Sequence, residues 1–422
     1  MLTSFEQHDA GFVSSAATDA NDRECAGGAG RTRHVQVRSA RALDMAGLVL
    51  WAALTGWVLW TAREPADAAA VRDLLLAVLA VHVAARLVTR RAALAVPLVL
   101  MLAGTSVATV WVLQALLSPR MVQVPYAGDA FVWLLIHVPL AGEALLWWRD
   151  PLGYANATAA LTLVGASAAL VVAARGDGGL RRVALAAAAL CAVAPALHDA
   201  QAGALLATAL VVLCAVTAGP LPVGPVARVG AGLVIVVLGA TTLIGAAYNG
   251  TGVPDAVVGG TLSGNRALLW GDALDQVAAA PLTGVGTNRF AEVSPTARGN
   301  PDLQWAHHEF LQLAGETGLP GLLLGIALTL WVFARIAAGP RHAGTAFVAA
   351  GLAAVCVAAQ VDYIWHFPVV ALATAALAGC GGGAAVGEVD DLPGRRETGV
   401  LTARAGDPLG TEQPPRGHHE DP

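Results

Sequence analysis

The chain has 422 residues, of which 56% are hydrophobic and only 13% are charged. Soluble domains carry about 25% charged residues, so this composition excludes an ordinary soluble protein. The net charge of −5 excludes little, because the charges are confined to polar segments between apolar runs. All 25 basic residues are arginine, a bias typical of a GC-rich bacterial genome.

Continuous apolar runs predict an all-α fold, a polytopic bundle of about 10–12 transmembrane helices, and exclude a barrel of alternating strands. Residues 1–43 lack the short basic start and apolar core of a signal peptide, and predict a disordered cytoplasmic arm. Residues 44–387 form the predicted membrane domain, and residues 388–422 a disordered cytoplasmic tail. Eleven apolar segments are predicted: 44–62, 73–89, 92–116, 129–148, 157–174, 183–197, 202–219, 229–247, 310–336, 345–360 and 367–387.

Arginine in short loops marks the cytoplasmic side of a membrane protein. Arginines cluster before the first segment, near residues 86–91, 175–182 and 335–341, and at 395–396. Eleven crossings cannot place all these clusters on one side, whereas ten can. Segment 129–148 carries His137, Pro139 and Glu143, so we expect it to lie at the interface or re-enter the membrane. A missed twelfth helix would restore the parity equally well.

The long polar segment 248–306 is then extracytoplasmic and contains Arg266, Arg289 and Arg298. Several arginines in one loop of a membrane protein favour a site for an anion, since guanidinium binds phosphate bidentately. The stretch SGNRALLWGDALDQVAAAP predicts a short helix that places Arg266 one turn before Trp270 on an apolar stripe with Leu274 and Val277. The alternative for Arg266 is snorkelling to lipid headgroups.

Two further patterns follow in the loop. PLTGVGTNRF predicts a tight turn whose backbone N–H groups, with Arg289, could face an anion, although such a turn is often only structural. WAHHEF then places His307, His308 and Glu309 at the start of the next apolar helix, where a neutral histidine can act as a base. The alternative is a pair of interfacial histidines that bond to loop backbone.

A metal site at His307, His308, Glu309 and Asp302 is a weaker interpretation. Adjacent histidines on a helix point about 100° apart and chelate one ion poorly. The five cysteines show no metal-ligand spacing. The later segment VDYIWHFP falls on the outer side, and helical spacing would put Asp362 and His366 on one face near the loop.

These patterns together resemble the O-antigen ligase and polymerase superfamily. Its segments P-x-x-G-x-G-x-x-x-F and H-N-x-x-L-x-x-x-x-E-x-G-x-x-G correspond to residues 281–290 and 307–321 here. RDPLGYANATAAL, which begins at Arg149, resembles an outer segment of the family, and VDYIWHFP resembles a late one. The resemblance is firm over about 240–387 and weaker from about 149.

The resemblance implies a metal-independent glycosyltransferase without a cofactor, acting on the outer face of the plasma membrane. The donor would be a glycan on undecaprenyl diphosphate, and the acceptor a hydroxyl of a glycan, lipid or protein; no nucleic acid is implied. It assigns diphosphate binding to Arg266 and Arg289 and the base to His307, with His308, Glu309, Arg149, Asp362 and His366 as supporting residues. His308 stands where the family has asparagine, and HDAQAG at 198–203 replaces the family's Ser-Arg-Gly turn.

Two other classes share this architecture. A transporter or flippase of a lipid-linked or anionic substrate would also have many helices, but no inverted repeat is evident. Other polyprenyl-phosphate glycosyltransferases carry paired acidic residues in the first outer loop, where this chain has Glu64 and Asp67 without such a pair. Inhibition by a chelator would separate that metal-dependent class from the ligase-like one.

Overall fold

The computed structural model describes residues 42–117, 120–126, 130–136, 151–197, 264–298, 300, 303–338 and 343–381. The predicted segments 202–219 and 229–247 lie outside the described residues, as do Arg149, Asp302 and nearly all of the two predicted terminal segments.

The described elements are helical except for one hairpin. The α-helices are α1 (Ala42–Thr61), α2 (Pro65–Arg91), α3 (Ala95–Leu117), α4 (Ala155–Arg175), α5 (Gly178–Val193), α6 (Gly264–Ala279), α7 (Phe290–Val293), α8 (Pro295–Arg298), α9 (Glu309–Ala337), α10 (Ala343–Ala358) and α11 (Pro368–Gly381). Two 3₁₀ turns cover Ala194–Leu197 and Ile364–His366, and the strands are β1 (Arg120–Tyr126) and β2 (Ala130–Ile136).

Five described helices are long and apolar enough to cross a membrane, and the all-α membrane fold is confirmed. They are α1, α2, α3, α4 and α9, each taken over its apolar stretch. Two shorter apolar helices, α10 and α11, correspond to the last two predicted segments.

The predicted segment 129–148 does not begin as a helix. Its first part forms β2, which pairs antiparallel with β1 so that Arg120 faces Ile136 and Tyr126 faces Ala130. Arg175 Nη1 of α4 donates to Ala93 O, just before α3, at 2.9 Å. The start of α3 and the end of α4 therefore share one end of the bundle. The end of α3 and the start of α4 therefore lie together at the other end.

Helix α4 is the centre of the bundle, with nearly all of its residues buried against α3, α5 and α10. Small residues permit the close packing: a Cβ on Gly104 of α3 would lie 2.5 Å from Gly165 Cα of α4. Without water to drive association, membrane helices depend on such backbone approach.

One end of the bundle is fastened by an ion cluster, which we call the Asp44 cluster. Arg86 of α2 donates to both carboxylate oxygens of Asp44 on α1, and Arg335 Nε of α9 donates to Oδ1 at 2.7 Å. Three helices thus meet at the arginine-rich end that the sequence assigns to the cytoplasm.

Candidate functional site

Asp362 is the centre of a polar cluster at the opposite end of the bundle. Its carboxylate accepts hydrogen bonds from Tyr154 at 2.6 Å, from Asn156, and from Arg266 Nη2 at 3.1 Å. His307 Nδ1 lies 3.0 Å from the other oxygen, Oδ1. The Asp362 side chain is only 1% exposed, so these donors replace water almost completely. Three distant segments of the chain converge on this one side chain.

The donors determine the charge of Asp362. Burial disfavours the carboxylate, but the hydrogen bond from His307 and the charge of Arg266 outweigh it and lower the pKa of Asp362. Burial, together with this negative charge, raises the pKa of Tyr154 and raises the pKa of Tyr363 to about 12. Asp362 is therefore an ionised acceptor among neutral tyrosines.

His307 is held in a specific orientation. Its backbone has φ of +52°, a left-handed conformation that is uncommon for a residue other than glycine. Trp270 Nε1 donates to its carbonyl at 3.3 Å, and its ring lies edge-on to Tyr363 at 4.6 Å. Because ionised Asp362 can only accept, Nδ1 is the donor in this contact, and in the neutral ring Nε2 then has a free lone pair. Among the described residues, no group bonds to Nε2.

Arg266 reaches the cluster from α6, which forms as predicted. The buried face of this helix consists of Leu269, Trp270, Ala273 and Gln276, rotated slightly from the predicted stripe, in which Leu274 and Val277 are only half-buried. The Arg266 side chain is 17% exposed and ion-paired with Asp362, so it is fixed in the site and not directed to lipid headgroups.

Glu309 and His366 form a second pair beside the first. His366 Nδ1 lies 3.3 Å from Glu309 Oε2, and Trp365 N donates to Glu309 Oε1 at 2.6 Å. Burial lowers the pKa of His366, but the charge of Glu309 outweighs it and the net shift is upward. The prediction that Asp362 and His366 share a helical face is wrong, because Asp362 precedes the 3₁₀ turn and the two side chains have different partners.

His308 has a structural contact and does not orient His307. It is the N-cap of α9, where its Nδ1 accepts a hydrogen bond from Leu311 N at 3.2 Å, and its ring lies edge-on to Trp270. Burial lowers its pKa to about 4, so it is neutral. The group that orients His307 is Asp362, which the sequence assigned only as a supporting residue.

The glycine turn predicted for anion binding is occupied by the chain itself. Val285 N and Gly286 N donate to carbonyls of Gly315 and Glu316 in α9. Asn288 N and Phe290 N donate to the buried Glu316 carboxylate at 2.9 and 3.3 Å. A Cβ on Gly284 would lie 2.3 Å from Glu316 C, so this turn admits only glycine. The glycine turn of residues 281–290 and the motif of residues 307–321 are thus hydrogen-bonded to each other.

Arg289 follows this turn and is paired with Glu292 at 2.7 Å, and Arg298 donates to the Glu292 carbonyl. Neither contacts the Asp362 cluster in the described structure. The predicted anion-binding arginines are therefore divided, with Arg266 inside the cluster and Arg289 outside it.

A largely apolar cavity of about 600 Å³ lies between α1, α2, α9 and α11. Its polar lining at the end nearest the Asp362 cluster comes from Thr287, Asn288, Glu309, Gln312, Glu316 and His366. Gln312 Nε2 contacts both the Glu316 carboxylate at 3.1 Å and His366 Nε2 at 3.2 Å. The cavity therefore runs from the site toward the Asp44 cluster, whose Asp44 and Arg86 line its other end.

Several site residues were not predicted as such. Tyr154 and Gln312 carry no sequence signal, whereas Asn156 and Glu316 occupy motif positions that had no assigned role. No group of three or more His, Cys, Asp or Glu side chains in the described ranges could hold a metal ion. The three adjacent residues His307, His308 and Glu309 have three different partners.

The class that these observations define is an all-α integral membrane protein with a buried histidine, aspartate and arginine cluster at one end of its described helices. Residues 186–326 match the family model described as O-antigen ligase, and the resemblance to that superfamily is confirmed. The matched region includes Arg266, Arg289 and His307 but ends before Asp362. It supports a membrane glycan-processing function of the O-antigen ligase or polymerase type. No curated protein matches the chain.

Proposed function

We propose that the protein transfers or polymerises a glycan from undecaprenyl diphosphate onto an acceptor hydroxyl, without a metal, at the extracytoplasmic face of the plasma membrane. The observation that carries the proposal is the joint bonding of His307 and Arg266 to one buried, ionised aspartate. That arrangement places a base and a cation within reach of one reacting group.

His307 supplies the base. Its Nε2 takes the proton of the acceptor hydroxyl while the acceptor oxygen forms a bond to the anomeric carbon of the donor sugar. The bond between that carbon and the diphosphate oxygen breaks, and the diphosphate leaves with the electron pair. Asp362 stabilises the imidazolium that results and is a positioning residue, because it acts through His307.

Arg266 supplies positive charge for the leaving diphosphate. One of its five N–H donors is used by Asp362, and no other described group accepts from the rest. A preorganised guanidinium in a water-poor site stabilises developing negative charge more strongly than one in water does. The apolar cavity beside the site has the character required for part of a polyprenyl chain.

The test uses membranes that contain the full chain and are supplied with labelled lipid-linked glycan. We expect His307→Ala and Arg266→Ala to abolish transfer while the protein is retained, and Arg72→Ala, an exposed arginine of α2, to leave transfer unchanged. Transfer should persist in a chelator.

Near wild-type transfer by both site variants would overturn the site assignment, and loss of transfer in chelator would favour the metal-dependent class. Deleting the gene separates the two activities. A shortened surface polymer indicates a polymerase, whereas an intact polymer missing from its acceptor indicates a ligase.

A further inference from the structure

Arg63 lies in the short turn between α1 and α2, far in sequence from the predicted site. A Cβ on Gly286 would lie 2.7 Å from Arg63 Cγ and 3.2 Å from Arg289 Cδ. The stems of both arginines therefore lie against the same glycine, whose φ of +115° already favours glycine. The aliphatic parts of two arginine side chains therefore lie close together beside Gly286.

This approach is fixed by the backbone on both sides of Arg63. Thr61 Oγ1 and Thr287 Oγ1 are 3.0 Å apart, and Thr287 Oγ1 also donates to Val58 O at 2.9 Å. Beyond Arg63, Asn288 Nδ2 donates to Asp67 Oδ1 at 2.8 Å. The α1–α2 turn is thus bonded to the glycine turn before and after Arg63.

The two arginines differ in their partners. Arg289 pairs with the exposed Glu292 carboxylate, whereas Arg63 has no polar partner among the described residues. The nearby carboxylates of Asp67 and Glu316 accept from Asn288 and from backbone N–H groups. Like charges held together repel, so an anion between the two guanidiniums would stabilise this arrangement.

The cavity indicates which anion. Thr287 and Asn288, which hold the Arg63 turn, also line the outer end of the apolar cavity. An amphiphile whose hydrocarbon chain lies in the cavity would have its head group at this end. A single anionic head that spans two arginine forks is a phosphate or diphosphate.

We infer that Arg63, together with Arg289, binds the diphosphate of the polyprenyl carrier at the outer end of the cavity. The inference rests on the proposed function and adds a binding residue that lies outside the matched family region. In this arrangement Arg63 and Arg289 bind the diphosphate from the side of the glycine turn, while Arg266 offsets the charge that develops on it beside His307.

Direct binding tests the assignment on purified full-length protein in detergent. The probes are farnesyl diphosphate, uncharged farnesol and inorganic pyrophosphate. We expect Arg63→Ala to weaken farnesyl diphosphate binding about tenfold and to leave farnesol binding unchanged, since one bidentate contact is lost. Arg63→Lys should fall between, because lysine keeps the charge but not the fork. Arg72→Ala is the matched control.

The outcomes separate the two proposals. If wild-type protein prefers farnesyl diphosphate to farnesol and Arg63→Ala keeps that preference within twofold, the Arg63 assignment is wrong and the donor class stands. If wild-type protein shows no such preference, both are wrong. Pyrophosphate binding as tight as that of farnesyl diphosphate would indicate a free-anion site and overturn the lipid assignment.

Discussion

The two ends of the bundle each place one aspartate between two nitrogen-bearing side chains, and they use it differently. At the arginine-rich end, Asp44 is 32% exposed and accepts from Arg86 and Arg335. At the other end, Asp362 is 1% exposed and accepts from Arg266 and His307. The first cluster joins three helices; the second leaves a histidine nitrogen available for chemistry. An ion pair at a helix end is therefore not by itself a functional site.

The largest expected effect is on transfer, from a change at Asp362. Asp362→Asn keeps the shape but removes the charge that orients His307, and we expect transfer to fall about 10²- to 10⁴-fold, the usual contribution of general-base catalysis. The measurement is the initial rate of glycan transfer across pH. A merely structural role would lower the amount of protein and leave the pH profile of the remaining activity unchanged.

A change at Asp44 should give the opposite pattern. Asp44→Asn leaves Arg86 and the buried Arg335 without their carboxylate, and we expect a loss of about 2 kcal/mol of stability, less than for a fully buried pair. Transfer per folded molecule should stay within about twofold of wild type. Thermal unfolding in detergent and the transfer rate measure the two effects. A large loss of transfer at unchanged stability would assign this end a functional role.

The smallest effect concerns His308, next to the proposed base. Its pKa in the folded protein, about 4, lies below its ordinary value near 6.5. Its stabilising effect is therefore present above about pH 6.5 and is lost as the pH falls toward 4. Asparagine is also a good N-cap, so we expect His308→Asn to retain transfer and to reduce this acid sensitivity, measured by thermal unfolding between pH 7 and 4.

His308→Ala is the matched variant. Without a cap for Leu311 N, it should lose about 1 kcal/mol at neutral pH. A strong loss of transfer in His308→Asn would contradict the capping role and indicate that His308 takes part in the chemistry.

The sequence predicted the local features of the site well. The α6 helix with Arg266 and the placement of His307 just before α9 follow from composition and motifs that span a few turns. The N-cap role of His308 was not predictable from those motifs, because capping depends on the residue at which the helix begins. Asparagine is also a common N-cap residue.

Long-range features were harder to predict. Asp362 meets His307 across 55 residues, and no periodicity reports such a contact. Helical spacing was misleading here, since the chain is not helical at Asp362. Similarly, the apolar character of 129–148 did not reveal β2, because a short apolar run fits a strand or a helix.

The bonding between the glycine turn and α9 limits how the protein could admit the lipid-linked donor proposed above. Leu319 N donates to Pro281 O, next to the kink at Gly318, and Val285 N and Gly286 N donate back to α9. Separating the turn from the helix would break these backbone hydrogen bonds, each worth about 0.5–1.5 kcal/mol, and would expose the Glu316 carboxylate. In the proposed function, a polyprenyl chain that enters sideways past α1 and α2, which the other described residues bury only slightly, would avoid that cost.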